Sequence, residues 1–372
     1  MVYTVGPIRD RMRLTIRAGC FFLLASWLPV APVRAQWYAP PWRSDLTKDC
    51  RVDLLDLAVL AQRWLTPDDV NNLAGDPWID ASDLALMAQQ WLTQAAGPCD
   101  ECRDWQVLHP EWIFCDDFED PTPLRRRGRY FEHDNDGGDF VVVDGVGLNG
   151  SRGMRARFQA GEVSAGALHL AFGRVPSPYF DTGIRPGEDF RDLYYRVYLR
   201  NQPGWTGSPA KLSRAIVFAG SNWSQAMIAH LWSSGNFLLI DPASGVNSYG
   251  LVATTKYNDL DNLRWLGQQR GITPIFAPQN AGVWFCIEAH VRLNDPGQSN
   301  GVQEFWINGK LEARRTGLNF VGSYADYGIN AIFLENYWNA GSPKLQERYF
   351  DSFVVSTKPI GCLCAADPPG TP

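Results

Sequence analysis

Between residues 105 and 364 the chain offers one short alternating segment after another and no long helical stripe, and this limits its fold more than any other feature of the sequence. The clearest segments are 140–143, 154–158, 167–172, 193–200, 226–232, 237–240, 284–293, 303–308, 331–337 and 349–356. Gly, Pro, Asn and Asp bound them, as they bound strands generally. Fifteen Trp, thirteen Tyr, 34 Gly and 25 Pro likewise favour half-buried strands and turns over helices. Ten or more strands in one domain predict a mainly β fold, a two-sheet sandwich over 105–364.

Successive residues of a strand point to opposite faces, so alternation predicts which side chains leave the core. In 193–200, Leu193, Tyr195, Val197 and Leu199 share one face, and Tyr194, Arg196, Tyr198 and Arg200 the other. In 284–293, Phe285, Ile287, Ala289, Val291 and Leu293 form the core set, opposite Trp284, Cys286, Glu288, His290 and Arg292. In 226–232, His230 and Trp232 lie opposite Met227, Ala229 and Leu231. A face mixing aromatic and charged groups suits sugars, whose rings stack on aromatics while hydroxyls and carboxylates take charged partners. The alternative is a plain solvated sheet face.

The first hundred residues contain a repeat. Residues 45–65 and 72–92 align at an offset of 27: Asp49 falls on Asp76, Asp53 on Asp80, Asp56 on Asp83 and Trp64-Leu65 on Trp91-Leu92. Each copy is an acidic loop followed by an amphipathic helix, with Leu57, Leu60, Ala61 and Trp64, or Leu84, Met87, Ala88 and Trp91, on one helical face. The loops have the spacing of a twelve-residue calcium loop, which supplies oxygens from positions 1, 3, 5, 7, 9 and 12. In the first these are Asp45, Thr47, Asp49, the carbonyl of Arg51, Asp53 and Asp56. The second offers Asn72, Asp76, the carbonyl of Trp78, Asp80 and Asp83, with Ala74 at position 3. Calcium is therefore the expected cofactor.

Residues 1–35 read as an export signal: Arg9, Arg11, Arg13 and Arg17, then an apolar run, then Val33-Arg34-Ala35 as a cleavage site. A retained anchor is the alternative, against which the short, proline-interrupted run speaks. Removing five Arg and one Asp takes the net charge from −6 to −10, and 36–100 hold ten acidic against four basic residues. Such a chain is expected to be secreted or at the cell surface of a bacterium, without a further membrane span and without nucleic acid as a partner. Seven cysteines would survive processing, and an exported chain makes disulfides the default. Their pairing is not readable from the sequence. Zinc at Cys99-x-x-Cys102 and Cys362-x-Cys364 is the minor alternative. Residues 93–104 read as a linker and 365–372 as a flexible tail.

The tandem loop-helix unit at 45–92 resembles the dockerin type I family, which implies a calcium-dependent tether to a cohesin-like partner. The residues before the last ligand in each loop, Leu54-Leu55 and Ala81-Ser82, differ, which disfavours a symmetric partner interface. Residues 282–309, a strand with Trp and Glu, a Leu-Asn turn and a strand ending Trp-Ile-Asn-Gly, resemble concanavalin A-like jelly rolls of the polysaccharide-lyase type. Lys211-Leu212 and the closing segment 349–356 add to this, with Asp116-Asp117-Phe118-Glu119 as a first strand expected to pair with the last.

That resemblance implies a polysaccharide partner, and for an acidic one, β-elimination: a cation near the carboxylate, a base for the adjacent proton and an acid for the leaving oxygen. Arg196, Lys211 and Arg292 are candidates for the first role, His230 and His290 for the second, Tyr198 and Tyr337 for the third, with Trp232 and Glu288 binding substrate. A non-catalytic lectin-like module needs only the aromatic-polar face. A retaining glycosidase would need two carboxylates about 5 Å apart, for which Glu288, Glu304 and Glu335 are available.

Overall fold

The computed structural model describes residues 44–46, 52–67, 72–92 and 100–363. The export signal, the loop ligands Thr47, Asp49 and Arg51, the linker up to residue 99 and the tail lie outside them.

Among the described residues sixteen strands follow in chain order. They begin with β1 (Trp112–Asp116), β2 (Glu132–Asp134), β3 (Phe140–Val143), β4 (Gly153–Phe158) and β5 (Ser164–Ala171). Next come β6 (Asp192–Asn201), β7 (Lys211–Phe218), β8 (Gln225–Ser234), β9 (Phe237–Ser244), β10 (Arg264–Trp265) and β11 (Gln269–Arg270). The last are β12 (Trp284–Arg292), β13 (Gly301–Ile307), β14 (Lys310–Leu318), β15 (Ala331–Tyr337) and β16 (Gln346–Ser356). They form two antiparallel sheets. Sheet I runs β14-β13-β12-β6-β16-β4-β3, with β1 also on β16; sheet II runs β10-β9-β8-β7-β15-β5-β2, with β11 on β9. The first strand pairs with the last as expected, but it ends at Asp116, where Phe118 (φ 60°) turns the chain.

The inner faces meet in one core. Leu193, Tyr195, Val197, Leu199, Phe285, Ile287, Ala289 and Val291 of sheet I pack against Met227, Ala229, Leu231, Ala215 and Val217 of sheet II. Burying a side chain of this size contributes about 1.5–3 kcal/mol, so the alternation that placed these residues is also what holds the layers together.

The outer face of sheet I is not an open sugar platform, because the chain covers part of it. A Cys286–Cys362 disulfide ties the segment after β16 across β12. Glu288 accepts the amides of Ile360 (2.8 Å) and Gly361 (3.0 Å), and the Tyr198 hydroxyl accepts that of Leu363 (2.7 Å). Arg196 donates to Gly361 O (3.1 Å) and to both oxygens of Glu101. Cys102 pairs with Cys115 of β1, so residues 100–104 belong to the sandwich and not to a linker. Both pairings also remove Cys102 and Cys362 from any zinc site.

In the small module, α1 (Leu54–Gln62) and α2 (Ala81–Gln89) carry the repeat. Its two halves hydrogen-bond reciprocally: Leu65 N to Ile79 O and Leu92 N to Val52 O, both 2.8 Å, which are equivalent positions at the offset of 27. Leu65 and Leu92 take the left-handed conformation (φ 56° and 58°) that ends each helix. The core is Val52, Leu60, Leu73, Ile79 and Met87, with Leu46, Leu57 and Trp91 packed on it. The expected helical stripe is only half used: Ala61, Trp64, Leu84 and Ala88 stay exposed, because loop residues at equivalent positions fill the space between the helices.

Candidate functional site

Sheet pairing places a transverse row of chemistry on the outer face of sheet II. Directly opposed residues share a face, and Glu132, His169, Phe333, Arg214, His230 and Asp241 are opposed one to the next across β2, β5, β15, β7, β8 and β9. The neighbouring row is Tyr337, Lys211 and Trp232. One side of this face is closed by an aromatic layer in which Phe180, Trp223, Tyr257 and Phe131 pack on Phe218 and Phe333.

Arg214 anchors the site. Its guanidinium, wholly buried, meets Glu335 in a two-pronged pair, Nε to Oε2 and Nη2 to Oε1, both 2.6 Å. Nη1 reaches Asn258 Oδ1 at 2.6 Å, and the Tyr257 ring stacks beneath. Two-pronged charge-assisted bonds of this kind fix geometry as well as energy. Burial alone would raise the Glu335 carboxyl, but the Arg214 and Lys211 charges outweigh it and hold it below the ordinary carboxylate range.

Lys211 and Tyr337 form the accessible pair. The ammonium lies 4.4 Å from the centre of the Tyr337 ring, and the tyrosine is 36% exposed. Among the described residues no carboxylate lies within ion-pair distance of Lys211. Burial pushes its amine below the ordinary lysine value; Glu335 opposes this and Arg214 adds to it.

His230 is fully enclosed. Its Nδ1 donates to Asp241 O at 2.9 Å, since a carbonyl can only accept, leaving the Nε2 lone pair buried without a partner. Trp232 and Trp265 flank the ring, with centroids 4.1 and 5.4 Å away. Burial, reinforced by Arg214 and Lys211, pushes the imidazole well below its ordinary value, so it is neutral.

The expected site residues therefore divide between the two sheets. Lys211, His230, Trp232 and Tyr337 come together on sheet II. Arg196, Tyr198, Glu288, His290 and Arg292 do not join them: they lie on the far face of sheet I, with the whole core between. The first three hold the C-terminal strap. His290 is held between Glu304 (Nδ1, 2.8 Å) and Asp192 (Nε2, 2.7 Å) and stacked on Tyr194; despite its burial, these hydrogen bonds raise its pKa. Arg292 is a half-buried partner of Asp295. Of the glycosidase carboxylates, Glu335 lies on sheet II, apart from Glu288 and Glu304 on sheet I, which are engaged by the strap amides and by His290 and Arg314.

The residues that sequence reasoning missed are Arg214, His169, Asn258, Tyr257 and Trp265. His169 of β5 is bonded through Nδ1 to Glu132 at 2.8 Å and stacked on Phe333 at 3.7 Å.

No protein-family description matches the chain, and no curated protein matches it in sequence. Solved structures with a related course of the chain include an endo-β-1,4-glucuronan lyase from the fungus Trichoderma reesei, 13% identical, TM-score 0.42, covering 66% of this chain and 96% of that one. An alginate lyase from a Chlorella virus is 15% identical, TM-score 0.39, over 59% and 93%. An alginate lyase from Aplysia kurodai is 12% identical, TM-score 0.38, over 59% and 87%.

In the small module, Asp45 and Asp56 of the first loop are fully buried carboxylates, the hard oxygen donors that calcium takes. The second loop closes on itself. Asp83 Oδ1 accepts the amides of Leu73 (2.6 Å) and Ala74 (3.0 Å), and Oδ2 that of Asp80 (2.8 Å). Asn72 bonds to the backbone of Gly75 and Asp76. No helix among the described residues is long and apolar enough to cross a membrane.

Proposed function

We propose that the outer face of sheet II binds a uronic acid polymer and cleaves it by β-elimination, with Lys211 as base and Tyr337 as acid. The observation that carries this is the Lys211–Tyr337 pair: an amine depressed by burial, with no carboxylate at ion-pair distance among the described residues, against an accessible phenol. The neutral amine takes the proton from the carbon next to the carboxylate. That electron pair forms the C4–C5 double bond as the C4–O bond breaks, and the phenol proton passes to the leaving oxygen. Asn258, oriented by Arg214, offers an amide to the carboxylate, and Trp232 and Trp265 offer faces for sugar rings. His230 is set aside as the base, because its lone pair is enclosed.

The test is an ultraviolet screen for the unsaturated uronate end on glucuronan, alginate, pectate and glycosaminoglycans. Lys211→Ala and Tyr337→Phe should each lose about 10²–10⁴-fold in rate, and His290→Ala should lose none. Binding without any new absorbance would replace the lyase with the lectin reading.

For residues 45–92 we propose one calcium, in the first loop, and a tether to a cohesin-like partner. Asp45, Asp49, Asp53 and Asp56 would hold the ion, which would neutralise their charge. The second loop is the weaker donor set, because Ala74 stands at position 3, where the first loop has the Thr47 hydroxyl. Calorimetry on the full chain should give one site, lost in Asp45→Ala and kept in Asp80→Ala; two sites or none would refute this. The two disulfides fit the exported location this requires.

A further inference from the structure

Three strands of sheet II break register at the same level. Between β15 and β5 the partners jump from Glu335–Ala167 to Tyr337–Ser164. Between β15 and β7 they jump from Leu334–Ser213 to Tyr337–Lys211. Between β7 and β8 they jump from Ser213–Leu231 to Lys211–Trp232. Each jump is a β-bulge, one extra residue that leaves part of the ladder unpaired.

The bulge on β7 decides where Lys211 points. Ala215 and Val217 face the core, so unbroken alternation would turn Ser213 and Lys211 inward with them. Instead Leu212 and Ser213 both face inward: Leu212 lies in the core, and Ser213 Oγ meets Tyr195 OH at 3.0 Å. Lys211 is thereby moved to the outer face, three residues from Arg214 and beside Tyr337. On β5 the extra residue falls at Gly166 (φ 82°), where a Cβ would lie 2.5 Å from Asp134 O and 2.6 Å from Phe140 Cβ.

Carbonyls at these bulges are gathered from below, two by one side chain of the other sheet and the third through Asn336. Arg348 of β16 points into the core between the Phe158 and Phe350 rings and is wholly buried. Its Nη2 donates to Lys211 O (3.1 Å) and to Glu335 O, and its Nε to Asn336 Oδ1 (2.7 Å). Asn336 Nδ2 in turn donates to Gly166 O at 3.0 Å. A buried carbonyl without a partner is costly, so a cation that serves two bulges and orients the amide serving the third fixes all of them together. Among the described residues no carboxylate pairs with Arg348.

We infer that Arg348, through Asn336 and the bulge carbonyls, is the positioning residue that holds Lys211 and Tyr337 side by side on the outer face. This rests on the lyase reading for its catalytic consequence, but not for its geometry.

The test uses the full chain with Arg348→Met and, should that variant not fold, Asn336→Ala. Reductive methylation with carbon-13 reports each lysine's titration by NMR and needs no activity. In the wild type Lys211 should titrate below the ordinary lysine value; in either variant its titration should move upward as its enclosure is lost. Turnover should fall about 100-fold with KM little changed, the expected effect of misplacing reacting groups by about 1 Å. Arg348→Lys, with a single donor head, should recover part of the loss. If Lys211 titrates as in the wild type in the folded variants, the positioning role is wrong. If Lys211 shifts but the wild-type protein forms no unsaturated product, the geometry stands and the lyase reading falls.

Discussion

Replacing Glu335 by Gln tests the account where structure and chemistry meet. The substitution keeps the shape but removes the charge facing Arg214, whose Nε and Nη2 both end on that carboxylate at 2.6 Å. Breaking one partner of a buried pair leaves the other charge uncompensated, a cost of about 3–5 kcal/mol. For a domain of this size that lowers the melting temperature by about 10 °C. The pH dependence has a definite sign. The folded-state carboxyl of Glu335 is depressed, so its contribution is present above the ordinary carboxylate value and disappears as pH falls through the depressed one. Wild type and Glu335→Gln should therefore differ most near neutrality and converge in acid. Glu335 also raises the Lys211 pKa, so its removal should move the rising limb of the pH–rate profile to lower pH. Calorimetric melts across pH and the rate profile check both. An unchanged melting temperature, or a limb displaced upward, would refute the reasoning.

Three other perturbations address separate parts of the molecule. His290→Gln should leave cleavage intact yet lower stability most at acidic pH, because a raised histidine pKa stabilises below its ordinary value and is lost as pH climbs through the raised one; melts at several pH values check this. The double variant Cys286→Ser, Cys362→Ser opens a link between residues 76 apart, which should cost about 4 kcal/mol in denaturant titration without changing turnover, since the strap lies on the far face. Gly166→Ala should slow turnover and lower the melting point together, because a Cβ there meets backbone at 2.5 Å.

The sandwich was legible because alternation is unbroken in β6 and β12, where core and outer residues separate as expected. The repeat was legible because equivalent positions recur at a fixed offset. Strand β7 was not. Its bulge places Leu212 and Ser213 inward in succession, so Lys-Leu-Ser-Arg-Ala-Ile does not alternate, and Arg214 was missed along with the strand. The partner of Arg214 lies 121 residues away, a separation no local pattern reports. The far face of sheet I looked like a binding surface for a related reason. Polar side chains on a strand read alike whether they await a ligand or a segment of their own chain, and the strap that occupies Arg196, Tyr198 and Glu288 comes from residues 360–363.

The most direct measurement of the central claim is a crystal structure of the Tyr337→Phe protein soaked with an oligo-uronate from whichever polymer is cleaved. The account predicts a sugar ring over the outer face of sheet II, its carboxylate at Asn258, the adjacent C5 within reach of the Lys211 amine, and the glycosidic oxygen toward residue 337. An oligosaccharide on the outer face of sheet I, or one on sheet II out of reach of Lys211, would contradict it.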